Sequence, residues 1–338
     1  MNEKLMWDWY DAKNYYRDYF FYRRSQWYEK RTGQAYWPQP VKVAGKKLLS
    51  TEETNQVLYE GIISGRPFWA GRFGGTEMKC MYSYMKYRFD NKKDNRQDAM
   101  EELCRLSGFF PNDIALGDQF TDMMIDACGN IDVQAEWSRY MEDYFCARYQ
   151  KNAKLTQISS LYPWTLMEVA DTAVKPWTTA LEGKKVLVIH PFEESIRSQY
   201  DKNRMHIFDG AFEADDILPK FQLDVLKAVQ TLAGEKDERF ATWFEALDWM
   251  IEEIKKRDFD VAILGCGAYA YLLANEIKKM GKCAIHLGGA TQLLFGIYGS
   301  RWKESTLLKT VYNEKYWIHP CDTEQIKNHN VVENSCYW

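Results

Sequence analysis

Short apolar runs separated by glycines form the clearest pattern in the chain, between residues 260 and 302. Val261–Leu264 has the length and composition of a strand that is buried on both faces. Glycines 265 and 267 follow and predict a tight turn, and the spacing of apolar residues over 269–280 predicts a helix. A second apolar run spans 283–287. Strand, glycine turn, helix and strand form a βαβ unit, which implies a parallel sheet.

The glycines at the ends of these two strands predict an anion site. Gly265 and Gly267 follow the first strand, and Gly288 and Gly289 follow the second. Ligands bind beyond the carboxyl ends of parallel strands, where free backbone N–H groups and helix N-termini favour phosphate. The alternative is that these glycines only let helix and strand pack closely. Residues 265–270 fit the dinucleotide pattern GxGxxA, but no acidic residue for a ribose follows the next strand.

A second strand, glycine turn and helix are predicted around residues 68–77. Residues 68–73 have a strand pattern, Gly74 and Gly75 predict a turn, and a helix is expected from Thr76 onward. This arrangement would bring Arg72 and Glu77 to the mouth of the same site. An arginine there could hold a diphosphate through two parallel hydrogen bonds. The alternative is that Glu77 only complements the helix N-terminus.

Polar residues also follow a third predicted strand, 186–190. His190, Glu193, Glu194 and Arg197 lie together in sequence after it. One of the carboxylates could act as general base on an acceptor hydroxyl. The alternative is that the two acids only stabilise the start of a helix and that the histidine is satisfied within the core.

The remaining periodicity predicts further helices and short strands. Ser50 and Glu53 fit a capping box for a helix that ends near residue 64. Helices are also expected at 97–110, 121–149 and 241–257, and strands at 114–118, 217–219 and 223–229, the last of which could also be helical. The expected fold class is therefore α/β, with a Rossmann-like, mostly parallel sheet flanked by helices.

The first 37 residues are rich in aromatic side chains interleaved with charges of both signs. Their spacing predicts a helical extension that packs on the domain or on another subunit, which would make a homo-oligomer. The alternative is a peripheral membrane contact, since amphipathic aromatic residues favour that interface. Prolines 38 and 40 predict a boundary, which gives an extension over 1–40 and one domain over 41–338.

Composition excludes several classes of function for this chain of 338 residues. A net charge of −4 predicts no general attraction of the whole chain to nucleic acid or to an anionic membrane. The eight cysteines are scattered, without CxxC pairs, so neither a zinc site nor a disulfide framework is indicated. No signal-peptide pattern and no apolar run of membrane-spanning length occur, so the expected location is cytoplasmic, with membrane association through the N-terminus as the open alternative.

Four segments resemble bacterial proteins of the GT-D glycosyltransferase fold, which are associated with surface polysaccharide and glycoconjugate assembly. They are GRFGGTE (71–77), KKVLVIHPFEESIRSQY (184–200), TWFEALDWM (242–250) and the glycine-rich stretch 260–302, of which HPFEESI and GGATQLLFGIYGSRW are the most specific pieces. The resemblance implies a Rossmann-like domain that binds a nucleotide-sugar, such as a UDP-sugar. It also implies transfer of the sugar to a glycan, a lipid-linked acceptor or a protein.

The resemblance also implies candidate site residues. Relatives carry an arginine–aromatic–glycine–aspartate–glycine–glutamate stretch whose Asp-x-Glu pair is associated with a divalent metal. Here Gly75 stands in the place of that aspartate, so an implied Mg²⁺ or Mn²⁺ would have Glu77 and the donor phosphates as ligands. The catalytic candidates are Glu77, Glu193 and Glu194; the nucleotide-sugar candidates are Arg72, Gly74, Gly75, His190, Arg197, Gly265, Gly267, Tyr269, Gly288, Gly289, Gln292 and Arg301.

Two other functions remain open on the sequence. The GCGAYA turn also suits an enzyme that uses NAD or S-adenosylmethionine. The missing aspartate and the aromatic N-terminus would also suit a non-catalytic protein that binds a nucleotide-sugar or acts as a scaffold in a glycan-assembly complex.

Overall fold

The computed structural model describes residues 2–33, 41–91, 94–137, 140–168, 174–208, 214–235, 237–302, 312–326 and 335–338. The strands are β1 (Lys42–Val43), β2 (Lys46–Lys47), β3 (Phe68–Arg72), β4 (Val133–Glu136), β5 (Lys154–Gln157), β6 (Lys185–His190), β7 (Gln222–Lys227), β8 (Val261–Leu264) and β9 (Cys283–His286). The α-helices are α1 (Glu3–Thr32), α2 (Thr51–Ile63), α3 (Gly75–Phe89), α4 (Arg96–Ser107), α5 (Ile114–Cys128), α6 (Glu142–Tyr149), α7 (Glu193–Asn203), α8 (Ala214–Ile217), α9 (Trp243–Lys255), α10 (Tyr269–Lys279) and α11 (Thr291–Leu294).

Seven of these strands form one parallel sheet in the order β5-β4-β3-β9-β8-β6-β7. The separate pair β1 and β2 is antiparallel. Because all seven strands point the same way, their carboxyl ends lie along one edge of the sheet. Strands β4, β3, β9, β8 and β6 are consecutive there, so the segments that follow them share one crevice.

Hydrophobic side chains alternate along the strands and fill a core on each face of the sheet. In β6, Leu187 and Ile189 pack with α3, α5, α9 and α10 on one face, whereas Val186 and Val188 pack with α2 and α7 on the other. The α/β class and the helix-flanked parallel sheet expected from the sequence are therefore confirmed.

Local signals in the sequence account for several element boundaries. The βαβ unit β8–α10–β9 has the expected bounds, and Gly281 behind α10 has a φ of 85°, which glycine adopts without strain. The capping box of α2 is complete. Ser50 Oγ accepts a hydrogen bond from Glu53 N at 3.1 Å, and Glu53 Oε2 accepts one from Ser50 N at 2.7 Å.

Three predicted elements are wrong. Residues 114–118 begin α5 instead of a strand, because the Asp113 side chain caps that helix by accepting from Ala115 N at 2.8 Å. The helix expected over 121–149 is interrupted by β4, whose four residues are all buried between β3 and β5. Residues 217–219 follow the short helix α8 and form no strand.

The aromatic N-terminus is helical, as expected, and its first half packs on the domain. Within α1 the buried residues are Trp7, Tyr10 and Asn14. Trp7 stacks on Tyr82 of α3 at 5.8 Å between ring centroids, and Asn14 Nδ2 donates to Asp143 Oδ1 of α6 at 2.9 Å. The boundary predicted at residues 38–40 lies outside the described residues. None of the described helices is long and apolar enough to cross a membrane.

Candidate functional site

A cavity of about 250 Å³ opens at the carboxyl edge of the sheet. Its floor is formed where β3, β9, β8 and β6 end, at Arg72, His286, Gly265 and His190. The structure thus brings together residues that are far apart in sequence. Twelve of the predicted site residues line this cavity: Arg72, Gly74, Gly75, Glu77, His190, Gly265, Gly267, Tyr269, Gly288, Gly289, Gln292 and Arg301.

Arg72 is the half-buried cation at the centre of the cavity floor. Its guanidinium lies 5.0 Å from the ring centroid of Trp137, and Nη1 donates to the carbonyl oxygen of Phe73 at 3.2 Å. Its Nε is buried and has no hydrogen-bond partner among the described residues. A buried donor without a partner carries a desolvation penalty of about 1–3 kcal/mol, which a bound anion would relieve. The arginine is therefore arranged to receive an anionic group.

Glycines allow the arginine and the turns to approach one another closely. Gly288 has a φ of 63°, and a Cβ at that position would lie 2.1 Å from Arg72 Nη2. At Gly265 a Cβ would lie 2.7 Å from the backbone oxygen of Gly288. Gly267 has a φ of 59°, and its Cβ would lie 3.1 Å from Ser107 O. The two glycine turns are thus required for the shape of the cavity floor.

Glu77 is buried at the N-terminus of α3. A Cβ on Gly74 would lie only 1.8 Å from Glu77 Oε2, so the carboxylate occupies space that a side chain at residue 74 would fill. Thr76 Oγ1 donates to Glu77 Oε2 at 2.9 Å and also contacts Ser107 Oγ. At Gly75, by contrast, a Cβ would meet nothing within 4 Å. The carboxylate therefore lies within the cavity and beside an open position.

Two buried histidines line the cavity in the neutral state. Nδ1 of His190 accepts from Phe192 N at 3.0 Å, and Nδ1 of His286 accepts from Gly288 N at 3.2 Å. Burial lowers the pKa of each imidazole from 6.5 to about 3, and the nearby positive charge of Arg72 contributes at His286. With Nδ1 accepting, the neutral His190 ring carries its proton on Nε2 and retains a donor there. Nδ1 of His286 also lies 3.3 Å from the carbonyl oxygen of Leu264, to which the other tautomer would donate.

These histidines predict a loss of stability in acid. The unfolded chain takes up protons at both positions as the pH falls below about 6.5, whereas the folded chain does not until about 3. The free energy of unfolding should therefore fall by up to roughly 1.4 kcal/mol per pH unit for each histidine in that window. His190→Asn and His286→Asn keep an acceptor near Nδ1 but cannot be protonated. Urea unfolding from about pH 6.5 to about 4.5 should show a shallower decline for the double variant than for the wild type. Identical declines for the wild type and the double variant would contradict the lowered pKa values assigned to His190 and His286.

Two further polar groups at the cavity are buried without a partner. Tyr269 stacks on Trp243 at 4.5 Å with an interplanar angle of 7°, and its hydroxyl has no hydrogen-bond partner among the described residues. Gln292 donates from Nε2 to Ile297 O at 3.3 Å and Tyr337 O at 3.2 Å, but its Oε1 is also unpartnered there. Such groups fix the orientation of a polar ligand that reaches them.

Aromatic residues that the sequence did not single out form part of the wall. Trp137 follows β4, Tyr140 lies in the segment after it, and Tyr337 lies near the described C-terminus. Arg301, a predicted residue, lies 4.9 Å from the ring centroid of Tyr337. Because β4 was expected to be helix, Trp137 was not expected at the end of a strand. The alternating run VQAE before it was the signal that could have located it.

Three predicted residues do not line the cavity. Glu193 and Arg197 pair on α7 at 3.1 Å, and Arg197 also pairs with Asp224 of β7 at 3.0 Å. Glu194 Oε2 accepts from Thr323 Oγ1 at 2.8 Å. The strand β6 thus delivers His190 to the cavity, while the helix after it directs these charged side chains to other partners.

The residues present give little support to a metal site. No group of three or more His, Cys, Asp or Glu side chains within the described ranges could hold a metal ion. Glu77 is the one carboxylate that the motif supplies, and Nδ1 of each cavity histidine already accepts from backbone. A divalent ion would therefore depend on the phosphate oxygens of a ligand. The expected Mg²⁺ or Mn²⁺ stays a prediction, and no chemical step is assigned to it.

Comparisons with known proteins leave the family open. No protein-family model matches the chain, and no curated protein matches it either. Among solved structures, the chain aligns with a selenomethionine-substituted structure of domain of unknown function 1792, with a TM-score of 0.38 and 11% sequence identity. The alignment covers 73% of this chain and 79% of that one. Similarity at this level assigns neither family nor function.

Proposed function

We propose that the protein is a glycosyltransferase that moves a sugar from a nucleotide-sugar, with a UDP-sugar as the first candidate, to a glycan, lipid-linked or protein acceptor in bacterial surface glycan assembly. One observation carries the proposal: Arg72, whose buried Nε has no hydrogen-bond partner among the described residues, lies against the glycine turn of β9 at the carboxyl edge of a parallel sheet. The sequence resemblance given above supports the same function.

The diphosphate of the donor is assigned to the cavity floor. Arg72 would donate to its oxygens, and Arg301 would add a second positive charge at the rim. The N-termini of α3 and α10 both start at this edge and carry partial positive charge. When the sugar is transferred, negative charge accumulates on the departing nucleotide diphosphate. Donors fixed in advance around that charge stabilise the transition state.

The acceptor hydroxyl is assigned to Glu77. Its carboxylate is buried in the cavity, within reach of one neighbouring hydroxyl, Thr76 Oγ1. If the reaction inverts the anomeric centre, Glu77 takes the proton from the acceptor oxygen while that oxygen forms its bond to the sugar and the diphosphate leaves with the bonding electrons. Glu102 also lines the cavity, but it pairs with Lys79.

Thermal shift with three ligand classes tests this function. UDP-sugars should raise the melting temperature of the wild type, because a ligand that binds only the folded chain stabilises it by RT ln(1 + [L]/Kd), about 2.7 kcal/mol at 100 Kd. Arg72→Gln should largely lose that shift. Stabilisation by NAD or S-adenosylmethionine alone would favour the alternative enzyme class. Binding of a UDP-sugar without hydrolysis or transfer, with and without Mn²⁺, would favour the non-catalytic alternative.

A further inference from the structure

The second half of α1 continues beyond the fully buried residues of the helix. The buried residues of α1 end at Asn14, and the helix continues to Thr32. At about 1.5 Å per residue, the remaining 18 or so residues extend roughly 27 Å. The aromatic side chains exposed along α1 are Trp9, Tyr15, Tyr16, Tyr19, Phe20, Tyr22 and Trp27. This solvent-facing set is here called the aromatic face.

The aromatic face points away from the domain. With about 100° between successive residues, its seven members cover roughly half the circumference of the helix. The side that holds Trp7, Tyr10 and Asn14 lies diametrically opposite. The aromatic residues therefore do not continue the packing of α1 on the domain, and so large an exposed aromatic surface marks an interaction site.

In the second half of α1, basic side chains lie on or beside the aromatic face, and acidic side chains lie away from it. Residues 15–32 contain five basic and two acidic side chains, although the whole chain is negative. Arg23 and Lys30 lie in the middle of the aromatic face and Arg31 at its edge, by the same helical spacing. The two acids, Asp18 and Glu29, lie nearer the side that packs on the domain. Asp8, which lies on the aromatic face beside Trp9 by the same spacing, pairs with Lys4. The outward surface from residue 15 onward is therefore both aromatic and basic.

This combination fits an anionic membrane surface better than a second copy of the chain. Tyrosine and tryptophan have a polar tip on an apolar ring and are enriched at the interface between lipid and water. Basic side chains beside them each strengthen binding to anionic headgroups by roughly fivefold. Two copies that met through their aromatic faces would instead place Arg23 and Lys30 of each chain near like charges of the other.

The base of α1 also lies close to the cavity. Trp7 stacks on Tyr82, and Tyr82 lies 6.4 Å from Tyr140, which lines the cavity. Trp7 is thus separated from a residue of the cavity rim by two aromatic contacts.

We propose that the aromatic face of α1 docks the protein on an anionic lipid surface, with aromatic rings among the headgroups and Arg23, Lys30 and Arg31 near the lipid charges. The helix would lie on the membrane and not cross it. This inference is independent of the reaction assigned to the cavity.

Flotation of the full chain with vesicles tests this surface. The wild type should bind phosphatidylcholine vesicles that contain about 30 mol% phosphatidylglycerol, and binding should weaken as salt rises to about 1 M. The charge variant Arg23→Gln, Lys30→Gln, Arg31→Gln should lose about 100-fold in affinity. The aromatic variant Tyr16→Ala, Phe20→Ala, Trp27→Ala should lose at least about tenfold on both anionic and neutral vesicles.

A matched control removes exposed apolar side chains elsewhere. The control variant combines Val41→Ala, Ile63→Ala and Met205→Ala, at three exposed positions outside α1. It should bind vesicles as the wild type does. Circular dichroism should show equal helix content in all variants. Failure of the wild type to bind anionic vesicles would overturn the proposal, as would unchanged binding by both α1 variants. A wild-type dimer that the aromatic variant converts to monomer, without vesicle binding, would assign this face to a second copy instead.

Discussion

Glu77→Gln should reduce sugar transfer and donor hydrolysis by roughly 10²–10⁴-fold while the donor still binds. The substitution keeps the shape of the side chain and its contact with Thr76 Oγ1, but it removes the group that would take the acceptor proton. Binding should change little because the diphosphate is assigned to Arg72 and the glycine turns. Steady-state turnover and calorimetric affinity for the donor, measured on the same preparation, would separate the two effects.

Glu193→Gln and Glu194→Gln are the matched controls for this substitution. Both carboxylates belong to α7, which follows the strand that ends at His190. Glu193 pairs with Arg197, Glu194 accepts a hydrogen bond from Thr323, and neither glutamate lines the cavity. Their variants should keep turnover close to that of the wild type. Wild-type turnover by a folded Glu77→Gln variant would remove Glu77 from the chemistry, and a large loss in either control would move the base to α7.

Gly288→Ala should abolish most donor binding. The new Cβ would lie 2.1 Å from Arg72 Nη2, so the guanidinium must leave its place on the cavity floor. Loss of a charge-assisted contact of about 1.5–3 kcal/mol corresponds to roughly 10–150-fold in Kd. Because Gly288 has a φ of 63°, an alanine at this position should also lower the free energy of unfolding, by about 1–2 kcal/mol. Calorimetric titration and urea unfolding would measure the two consequences.

Gly129→Ala provides the control, since it adds the same methyl group outside the cavity lining. Gly129 has helical backbone angles, and its Cβ would lie 3.6 Å from the backbone oxygen of Asp126, an ordinary van der Waals contact. Its affinity for the donor should therefore remain within a few-fold of that of the wild type. Equal affinities for Gly288→Ala and the wild type would show that the position of Arg72 does not determine donor binding.

Local sequence patterns were sufficient to predict the strands that end at the cavity. Val261–Leu264 and 186–190 are apolar runs too short for helices, and glycine or histidine marks the end of each. Because strand direction in a βαβ unit is fixed, the sequence also indicated that Gly265, Gly288 and Arg72 would share one edge. The cavity contains all three.

Contacts between segments that are far apart in the sequence could not be predicted from local patterns. The contact of Arg72 with the turn at Gly288 depends on β3 pairing with β9, which no local pattern specifies. The strand β4 was missed because α5 before it and α6 after it have helical patterns that together suggested one continuous helix, whereas burial between β3 and β5 makes residues 133–136 a strand. Sequence proximity likewise grouped Glu193 with His190, although the start of α7 turns their side chains apart.

A crystal of the protein soaked with a mixture of UDP-sugars would test the central claim most directly. The proposal predicts density for a diphosphate against Arg72 and the backbone N–H groups that follow Gly265 and Gly288, with the sugar facing Glu77. Density for an adenine-containing dinucleotide carried through purification, or a diphosphate bound at another place while the cavity stays unoccupied, would contradict it.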